Sequence, residues 1–244
     1  MALSLAGGAK DATATACGAQ EAPLQSSFYP YDYNGGTVLA IAGADFAVVA
    51  GDTRMSTGFN IKSRSVSKLF EVTPGTMLAT GGFRGDITTL QKLLRAKVTQ
   101  YAHRHGEPMK PHSVAQMLAN TLYGRRFFPY YTWNVLAGLD ENGVGVVYSY
   151  DPVGNYERVR VSVTGSGESL IQPLLDNQLE RQHQALGAKP PVLSTDLTIE
   201  QTVTLVKDAF VSASERDIRT GDSVEISVIT KEGMATETFP LNID

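Results

Sequence analysis

The chain has 244 residues, of which 42% are hydrophobic and 19% are charged, and its formal net charge is -4 at pH 7. These values are typical of a globular protein with a well-packed core. Non-specific nucleic-acid binding needs a basic stripe that this acidic chain does not offer, so we expect no nucleic-acid partner. The single cysteine, Cys17, excludes an internal disulfide and a thiol-rich zinc site and favours a reducing compartment.

The N-terminal segment differs in composition from the rest of the chain. Residues 1–26 are rich in Ala, Gly, Ser and Thr and lack the basic start and apolar centre of a secretion signal. The longest apolar runs, such as residues 46–50, fall far short of the roughly 20 residues that span a membrane. We therefore predict a disordered leader or pro-segment over residues 1–26, a single domain over residues 27–244, and no membrane partner.

The first predicted elements are two β-hairpins. Residues 37–42 and 46–53 are rich in Val, Ile and Ala and are separated by a short Gly-Ala-Asp break, which is typical of paired strands. Residues 69–72 and 77–80 flank a Pro-Gly pair, whose fixed and permissive backbone angles suit a tight turn. The pattern therefore predicts two hairpins in succession.

Two helices are predicted after the hairpins. Asp86 is the expected N-cap of the first, and Ser113 with Gln116 three residues later forms a capping-box pattern at the start of the second. Each helix has one apolar face, which requires a surface to pack against. These faces consist of Ile87, Leu90, Leu94, Val98 and Tyr101 in the first helix and Val114, Met117, Leu118, Thr121 and Leu122 in the second.

The second half of the chain returns to strands and then to helices. Residues 133–139 and 144–150 predict a third hairpin around the turn at 140–143. Residues 170–179 predict a helix that Pro173 interrupts near its start, and residues 189–194, which contain two prolines, predict a loop.

The last predicted elements are a helix and two strands. Thr198 and Gln201 form a capping-box pattern before a helix with one apolar face, and residues 224–230 and 236–241 predict the closing strands. Blocks of strands joined by short turns, with helices in pairs, favour antiparallel sheets covered by helices over an alternating parallel sheet. We therefore predict one four-layer α+β domain. The apolar face of the last helix consists of Val203, Val206, Phe210 and Ala213.

Six stretches of the sequence together resemble the proteasome beta-subunit family. None is specific alone, but their order and spacing resemble those of the family from about residue 28 to the end of the chain. The resemblance implies an N-terminal nucleophile hydrolase fold, which is a four-layer αββα sandwich of two antiparallel sheets. The stretches are NGGTVLAIAG at 34–43, VVAGDTRMSTG at 48–58, ATGGFRGD at 79–86, GLDENGVGVVYSYDPVG at 138–154, GSG at 165–167 and SERDIRTGD at 214–222.

The resemblance also supplies a test of activity. Active members use an N-terminal threonine that self-cleavage exposes after a glycine, and its free amine accepts the proton of its hydroxyl. Counted back from Asp52, the nucleophile position of the family falls on Gly36, so Thr37 stands one residue late. A shift of one residue in a strand sends a side chain to the opposite face, so we expect Thr37 to point away from Asp52. The prediction is a chain without catalytic residues.

Other residues match supporting positions of the family site. The resemblance implies that Asp52 pairs with Lys68 and that the N–H of Gly82 would bind the oxyanion, while three residues surround the threonine amine. Without a nucleophile we interpret these residues as structural remnants, because removing one partner of a buried ion pair costs about 3–5 kcal/mol. The three residues near the amine are Ser166, Asp217 and Thr220, the last standing where serine is usual.

Further expectations concern partners and location. The resemblance implies a place in a seven-membered beta ring, with the other beta subunits, the alpha ring and the opposing beta ring as partners, in the cytoplasm and nucleus. There the subunit would support the degradation of proteins, commonly ubiquitin-tagged, by its active neighbours. By analogy with the family, Asp140 would contribute to the substrate pocket of an adjacent active subunit. No cofactor is expected.

Two alternatives remain open in the sequence. The enzymatic alternative is an active N-terminal threonine protease processed between Gly36 and Thr37, and the non-enzymatic one is a free-standing binding module.

The aromatic cluster at residues 127–133 suits a core and a subunit interface equally well. His103, His105 and His112 cluster in sequence, but exposed histidines at helix ends are commoner than metal ligands, so we expect no metal.

Overall fold

Two five-stranded antiparallel sheets form the middle of the structure. The computed structural model describes residues 29–180 and 197–242, so the predicted leader at 1–26 and the predicted loop at 189–194 lie outside it. The chain divides into the units Met1–Pro30 and Tyr31–Asp244, and every helix and strand described here belongs to the second.

The first sheet brings the two ends of the domain sequence together. Its strands are β1 Thr37–Ala42, β2 Phe46–Asp52, β10 Val161–Gly165, β11 Ser223–Thr230 and β12 Gly233–Pro240. They lie in the order β10, β1, β2, β11, β12, with β2 in the centre and every neighbouring pair antiparallel.

The second sheet follows chain order from β5 to β9. Its strands are β5 Leu69–Thr73, β6 Thr76–Gly82, β7 Thr132–Leu139, β8 Gly145–Tyr150 and β9 Tyr156–Val159. A separate two-stranded ribbon consists of β3 Met55–Thr57 and β4 Asn60–Ser63.

Helices cover the outer face of each sheet. The helices α1 (Arg84–His105) and α2 (Pro111–Tyr123) pack on the second sheet, and α3 (Glu168–Leu175) and α4 (Ile199–Ser214) pack on the first. A π-helical turn, Asp176–Glu180, continues α3. The order of layers is therefore helices, sheet, sheet, helices, and the predicted αββα fold is confirmed.

Alternation along the strands builds three apolar layers. In β1, Leu39 and Ile41 face the layer under α3 and α4, while Val38 and Ala40 face the layer between the sheets. The inner layer is rich in alanine, which lets the two sheets approach closely. Its alanines are Ala40, Ala42, Ala47, Ala79 and Ala137.

Two predicted helix starts are wrong. The first helix begins at Arg84 with Phe83 as its N-cap, and Asp86 instead accepts a hydrogen bond from the main-chain N–H of Tyr131 at 2.8 Å. The second begins two residues before Ser113, at Pro111, where a fixed φ and a missing N–H suit the first turn. The capping box of Thr198 and Gln201 is present.

Pro173 lies inside α3 and does not interrupt it near its start, as had been expected. The sequence patterns also missed four short strands, β3, β4, β9 and β10.

Candidate functional site

The predicted site residues lie at one end of the two sheets. Gly36 precedes β1, Asp52 ends β2, Lys68 precedes β5 and Gly82 ends β6. Antiparallel pairing carries the start of β1 to the end of β2 and to the end of β10, since Val38 lies opposite Gly51 and Thr37 opposite Gly165. Residues far apart in sequence therefore meet at one end of the sheets.

Asp52 and Lys68 form a buried ion pair that links the two sheets. The Lys68 Nζ lies 3.0 Å from Asp52 Oδ1, and it donates to the main-chain oxygens of Asp52 at 2.7 Å and Arg54 at 2.6 Å. An ammonium has three N–H donors, so each has an acceptor here. All three N–H donors of Lys68 are therefore used in contacts within the protein.

The Asp52 carboxylate is equally well satisfied. It is fully buried, and besides Lys68 it accepts main-chain N–H groups from Thr37 at 2.7 Å, Arg54 at 3.3 Å and Gly221 at 3.4 Å. Burial raises the pKa of the Asp52 carboxyl and lowers the pKa of the Lys68 ammonium, and the attraction between the two counteracts both shifts. With all acceptors and donors paired, the charged forms of both groups are the ones that the surroundings fit.

Gly36 faces the lysine. A Cβ placed on Gly36 would lie 2.0 Å from Lys68 Cε and 2.6 Å from Nζ, so the lysine side chain fills the space that a side chain at position 36 would occupy. Gly36 also has φ of 89°, a left-handed value that favours glycine. The position carries no hydroxyl.

Thr37 directs its hydroxyl elsewhere. Its Oγ1 accepts the main-chain N–H of Gly167 at 2.8 Å and lies 2.6 Å from Thr220 Oγ1. Because Thr220 donates its single hydroxyl hydrogen to Asp217 Oδ2 at 2.6 Å, Thr37 is the donor to Thr220. Among the described residues, no base accepts the proton of the Thr37 hydroxyl directly.

The structure separates the predicted remnants into two groups on either side of β1. Asp52 and Lys68 lie on the side that Gly36 faces, while Asp217 and Thr220 lie on the side of the Thr37 hydroxyl. Ser166 is near the second group, with its Oγ 3.4 Å from Thr220 Oγ1 and its N–H donating to the oxygen of Gly36 at 3.1 Å. The hydroxyl of Thr37 thus meets one remnant, Thr220, and neither member of the ion pair.

Asn34, which lies just before β1, bridges the end of β6 and the β3–β4 ribbon. The N–H of Asn34 donates to the oxygen of Gly82 at 3.3 Å, and its own oxygen accepts from the N–H of Ser56 at 3.0 Å. Its side-chain oxygen accepts the N–H of Arg84 at 2.8 Å. The segment before β1 therefore uses main-chain groups of Gly82 and Ser56 for its own hydrogen bonds.

Tyrosines hold this segment in place. Tyr31 donates its hydroxyl to the oxygen of Pro129 at 2.7 Å and stacks on Phe128, with ring centres 5.6 Å apart. The Arg219 guanidinium lies 5.0 Å from the centre of the Tyr33 ring. Burial raises the pKa of the Tyr33 hydroxyl, while the charge of Arg219 acts in the opposite direction.

Sequence reasoning missed a second buried ion pair beside the first. The Arg54 Nε donates to Asp222 Oδ2 at 2.9 Å, both side chains are buried, and Arg64 also contacts Asp222. Asp222 has φ of 68°, so the loop before β11 turns at a left-handed residue. The signal available in the sequence was the arginine of GDTR, because a charged residue that lies two positions beyond a buried strand and is itself buried needs a partner.

Asp140 lies at the opposite end of the sheets. It follows β7, whose first residue pairs with Gly82, so eight strand residues separate it from the site end, about 25 Å at 3.3 Å per residue. Its Oδ1 accepts the N–H groups of Asn142 and Val144, both at 2.9 Å, and its Oδ2 lies 3.7 Å from Arg158. In its own chain the residue organises the β7–β8 turn.

The aromatic cluster divides between core and surface. Tyr130 is buried in the layer under α1 and α2, whereas Phe127 is 100% exposed and Phe128 is 56% exposed. The core interpretation therefore holds for Tyr130, while the interface interpretation of Phe127 and Phe128 stays a prediction.

Metal-binding groups and membrane spans were sought in residues 29–180 and 197–242. Within these ranges no group of three or more His, Cys, Asp or Glu side chains could hold a metal ion. His103 and His105 belong to the last turn of α1. In the same ranges, no helix combines the length and the apolar character that crossing a membrane requires.

Comparison with known proteins identifies the family. The family model described as "Proteasome subunit" matches residues 33–229. The chain is 46% identical over 240 residues to the proteasome subunit beta type-1-B of Carassius auratus, covering 95% of this chain and 99% of the relative. It is 48% identical to the beta type-1 subunit of Arabidopsis thaliana, covering 90% and 98%, and 51% identical to that of Oryza sativa subsp. japonica, covering 88% and 96%.

These relatives agree with three stretches of the sequence. YGRRFFPYY at 123–131, DPVG at 151–154 and PLLDNQ at 173–178 predict the member at the sixth beta-ring position, which mammalian usage calls beta type-1. The names of the relatives confirm that prediction of type. The chain therefore belongs to the proteasome subunit family, as a beta-type member.

Proposed function

We propose that the chain is a non-catalytic subunit of the proteasome core, which completes a seven-membered beta ring and supports the active sites of its neighbours. Its partners are then the other beta subunits, the alpha-ring subunits and the opposing beta ring. In the cytoplasm and nucleus the assembled particle degrades proteins, commonly ubiquitin-tagged ones.

The observation that carries the proposal is the state of position 36. The residue that faces Lys68 is a glycine, and Lys68 fills the space where a nucleophilic side chain would stand. All three donors of Lys68 are bound to acceptors, two of them main-chain oxygens. Lys68 therefore has no hydroxyl group beside it to activate, and it has no N–H donor left for a substrate.

The bonding of Thr37 supports the same conclusion. A threonine nucleophile of this kind uses its own free amine as the base, whereas the Thr37 nitrogen is here a peptide N–H that donates to Asp52 at 2.7 Å. The Thr37 hydroxyl donates to Thr220, itself a donor to Asp217, and it accepts the N–H of Gly167. Thr37 therefore serves as a bridge between β1, the loop after β10 and the loop after α4.

N-terminal analysis and covalent labelling of assembled particles test the proposal together. Particles containing the full chain are treated with a peptide electrophile that bonds to the hydroxyl and amine of an N-terminal threonine, and each subunit is then analysed by mass spectrometry. We expect adducts on active subunits, no adduct on this chain, and a mature N-terminus upstream of Gly36. The labelled neighbours are the internal control.

The competing enzymatic function predicts the reverse result. A mature chain beginning at Thr37 and carrying the adduct would establish processing between Gly36 and Thr37 and would end the non-catalytic proposal. Migration of the chain in cells only as a free monomer would instead support a binding module outside any ring.

A further part of the proposal concerns Asp140. We infer that its carboxylate contributes to the substrate pocket of an adjacent subunit without taking part in chemistry. Its half-buried position in a turn at the edge of the domain, with one oxygen facing Arg158, leaves it near the surface where a neighbour can reach it.

A further inference from the structure

Six consecutive exposed residues begin at the last residue of α2 and present three aromatic rings to solvent. We call Tyr123–Phe128 the aromatic–arginine turn. Phe127 is 100% exposed, Tyr123 66% and Phe128 56%, and Arg125 and Arg126 stand between them. Single exposed apolar residues are ordinary, but three large rings in one turn are not.

Hydrogen bonds fix the backbone of this turn. The N–H of Arg125 donates to the oxygen of Leu122, that of Arg126 to the oxygen of Tyr123, and that of Phe128 to the oxygen of Arg125, each at 3.0 Å. The Arg125 guanidinium also lies over the buried Tyr130 ring, 5.2 Å from its centre. The rings are therefore presented by an ordered loop, which lowers the entropy that a partner must offset on binding.

The turn offers enough apolar area to anchor an interface. A large aromatic side chain buries about 150–250 Å², so covering the exposed parts of the three rings removes on the order of 400 Å² from water. A stable interface buries about 800 Å² on each partner, so this one turn supplies roughly half. Tyr, Phe and Arg are also the residue types enriched at the centres of interfaces.

The charges of the turn indicate what the partner carries. Within the part of the chain that the structure describes, neither Arg125 nor Arg126 pairs with a carboxylate. Covering two arginines without counter-charges would be costly, so the covering surface must offer carboxylates. A phosphate backbone fits less well, because the net charge of the chain is -4 and would repel a nucleic acid.

We propose that the aromatic–arginine turn inserts into an apolar pocket on an adjacent subunit of the core particle, and that Asp or Glu carboxylates line the rim of this pocket. The proposal rests on the assembly part of the proposed function and is independent of whether the chain is catalytic. Phe127 fills the pocket, and Arg125 and Arg126 pair with the carboxylates at its rim.

Photocrosslinking within assembled particles tests the contact directly. The full chain carries p-benzoylphenylalanine in place of Phe127, and purified particles are irradiated and digested for mass spectrometry. We expect a crosslink to a different subunit, in a peptide that contains Asp or Glu. A crosslink to a second copy of this chain, to its own chain or to nucleic acid, a peptide without carboxylates, or no crosslink in particles that contain the chain, would each contradict the proposal.

Surface variants test its energetic weight. We expect Arg125→Glu with Arg126→Glu, and separately Phe127→Ser with Phe128→Ser, to lower incorporation into particles at least tenfold in competition with the wild-type chain. The matched control is Phe59→Ser, since Phe59 is 93% exposed in the β3–β4 turn and lacks an arginine beside it in sequence. Incorporation of the turn variants equal to that of Phe59→Ser would overturn the proposal.

Folding and assembly are separated by one further measurement. Thermal unfolding of each free full-length chain should give nearly the same midpoint for the Arg125→Glu and Arg126→Glu double variant as for wild type, because both side chains are exposed and the contact of Arg125 with Tyr130 contributes only about 0.5–1 kcal/mol at such a site. Normal unfolding with poor incorporation assigns the effect to the interface. The catalytic question is read separately, from the adduct of the threonine-reactive electrophile.

Discussion

The two ends of the sheets each carry a lysine–carboxylate pair. The pair with the longer N–O distance is the one that we expect to contribute more to stability. At the site end, Lys68 and Asp52 are buried and 3.0 Å apart. At the other end, Lys110 and Glu141, beside the β7–β8 turn, are 2.7 Å apart and mostly exposed. Water competes for the exposed pair, whereas the loss of one buried partner leaves an uncompensated charge. Burial therefore decides which pair maintains the fold.

The largest expected effect comes from deleting the buried lysine. Lys68→Ala leaves the buried Asp52 carboxylate and two main-chain oxygens without their partner, so we expect the free energy of unfolding to fall by about 3–5 kcal/mol. Lys110→Ala is the control of the same type at the other end, and it should leave unfolding unchanged within error. Chemical denaturation of the full chain measures both. Equal effects at the two ends would remove the distinction that burial makes.

A second, somewhat smaller effect is expected at the neighbouring ion pair. Asp222→Asn keeps a residue that tolerates the left-handed backbone but removes the charge that faces buried Arg54, and should cost about 3 kcal/mol near pH 7. Burial alone would raise the pKa of Asp222, but hydrogen bonds from Arg54 and Arg64 hold the pKa below its usual value.

This lowered pKa gives the variant a pH signature. A group with a depressed folded-state pKa stabilises the fold above its unfolded-state pKa of about 4, and that contribution disappears as the pH falls through the folded-state value. The difference between wild type and Asp222→Asn should therefore shrink on acidification below about pH 4. A difference that stays constant from pH 7 to pH 2 would show that the charge is not the cause.

An intermediate effect is expected at the position that faces Lys68. Gly36 and Gly58 both have positive φ, at 89° and 58°, but only Gly36 has atoms within 4 Å of an added Cβ. Alanine at either position costs about 1 kcal/mol for the backbone, and Gly36→Ala should cost about 1–2 kcal/mol more because it displaces Lys68. Denaturation of the two variants in parallel isolates this contact. Indistinguishable costs would show that Lys68 moves aside freely.

The smallest expected effect is at Asp140. Asp140→Lys removes an acceptor for two main-chain N–H groups and should cost about 1 kcal/mol of stability, while Asp140→Asn, which keeps the oxygen, should cost less. Both variants should alter the peptide preference of a neighbouring active subunit, measured with a panel of peptide substrates on assembled particles. An unchanged preference with both variants would leave Asp140 with a role in the turn only.

Much of the fold was predictable because apolar periodicity reflects burial. Strands β1 and β2 have Val, Ile and Ala on both faces, as strands between two layers require, and the capping box at Thr198 is a local pattern. The missed strands β4 and β9, NIKS and YERV, are short and polar. Only their hydrogen bonds to β3 and β8 make them strands, and such pairing leaves no local pattern.

The site was partly predictable for the same reason. Counting back from Asp52 by the spacing that the family resemblance implies selects Gly36, and the structure places Gly36 against Lys68. The position of Asn34 between Ser56 and Gly82 depends on contacts with the β3–β4 ribbon and with the second sheet, so neither residue carries a sequence signal for it. Arg54 and Asp222 are 168 residues apart in sequence, and nothing local marks them as partners.

The alanine-rich layer between the sheets also affects the distance between Asp52 and Lys68. Asp52 belongs to the first sheet, and Lys68 precedes the first strand of the second. The distance between their side chains therefore depends on the separation of the two sheets. Larger side chains in place of Ala40 or Ala79 would push the sheets apart and lengthen the Lys68–Asp52 ion pair, although neither alanine contacts it. Packing in the middle of the molecule and charge pairing at its end are thus mechanically coupled.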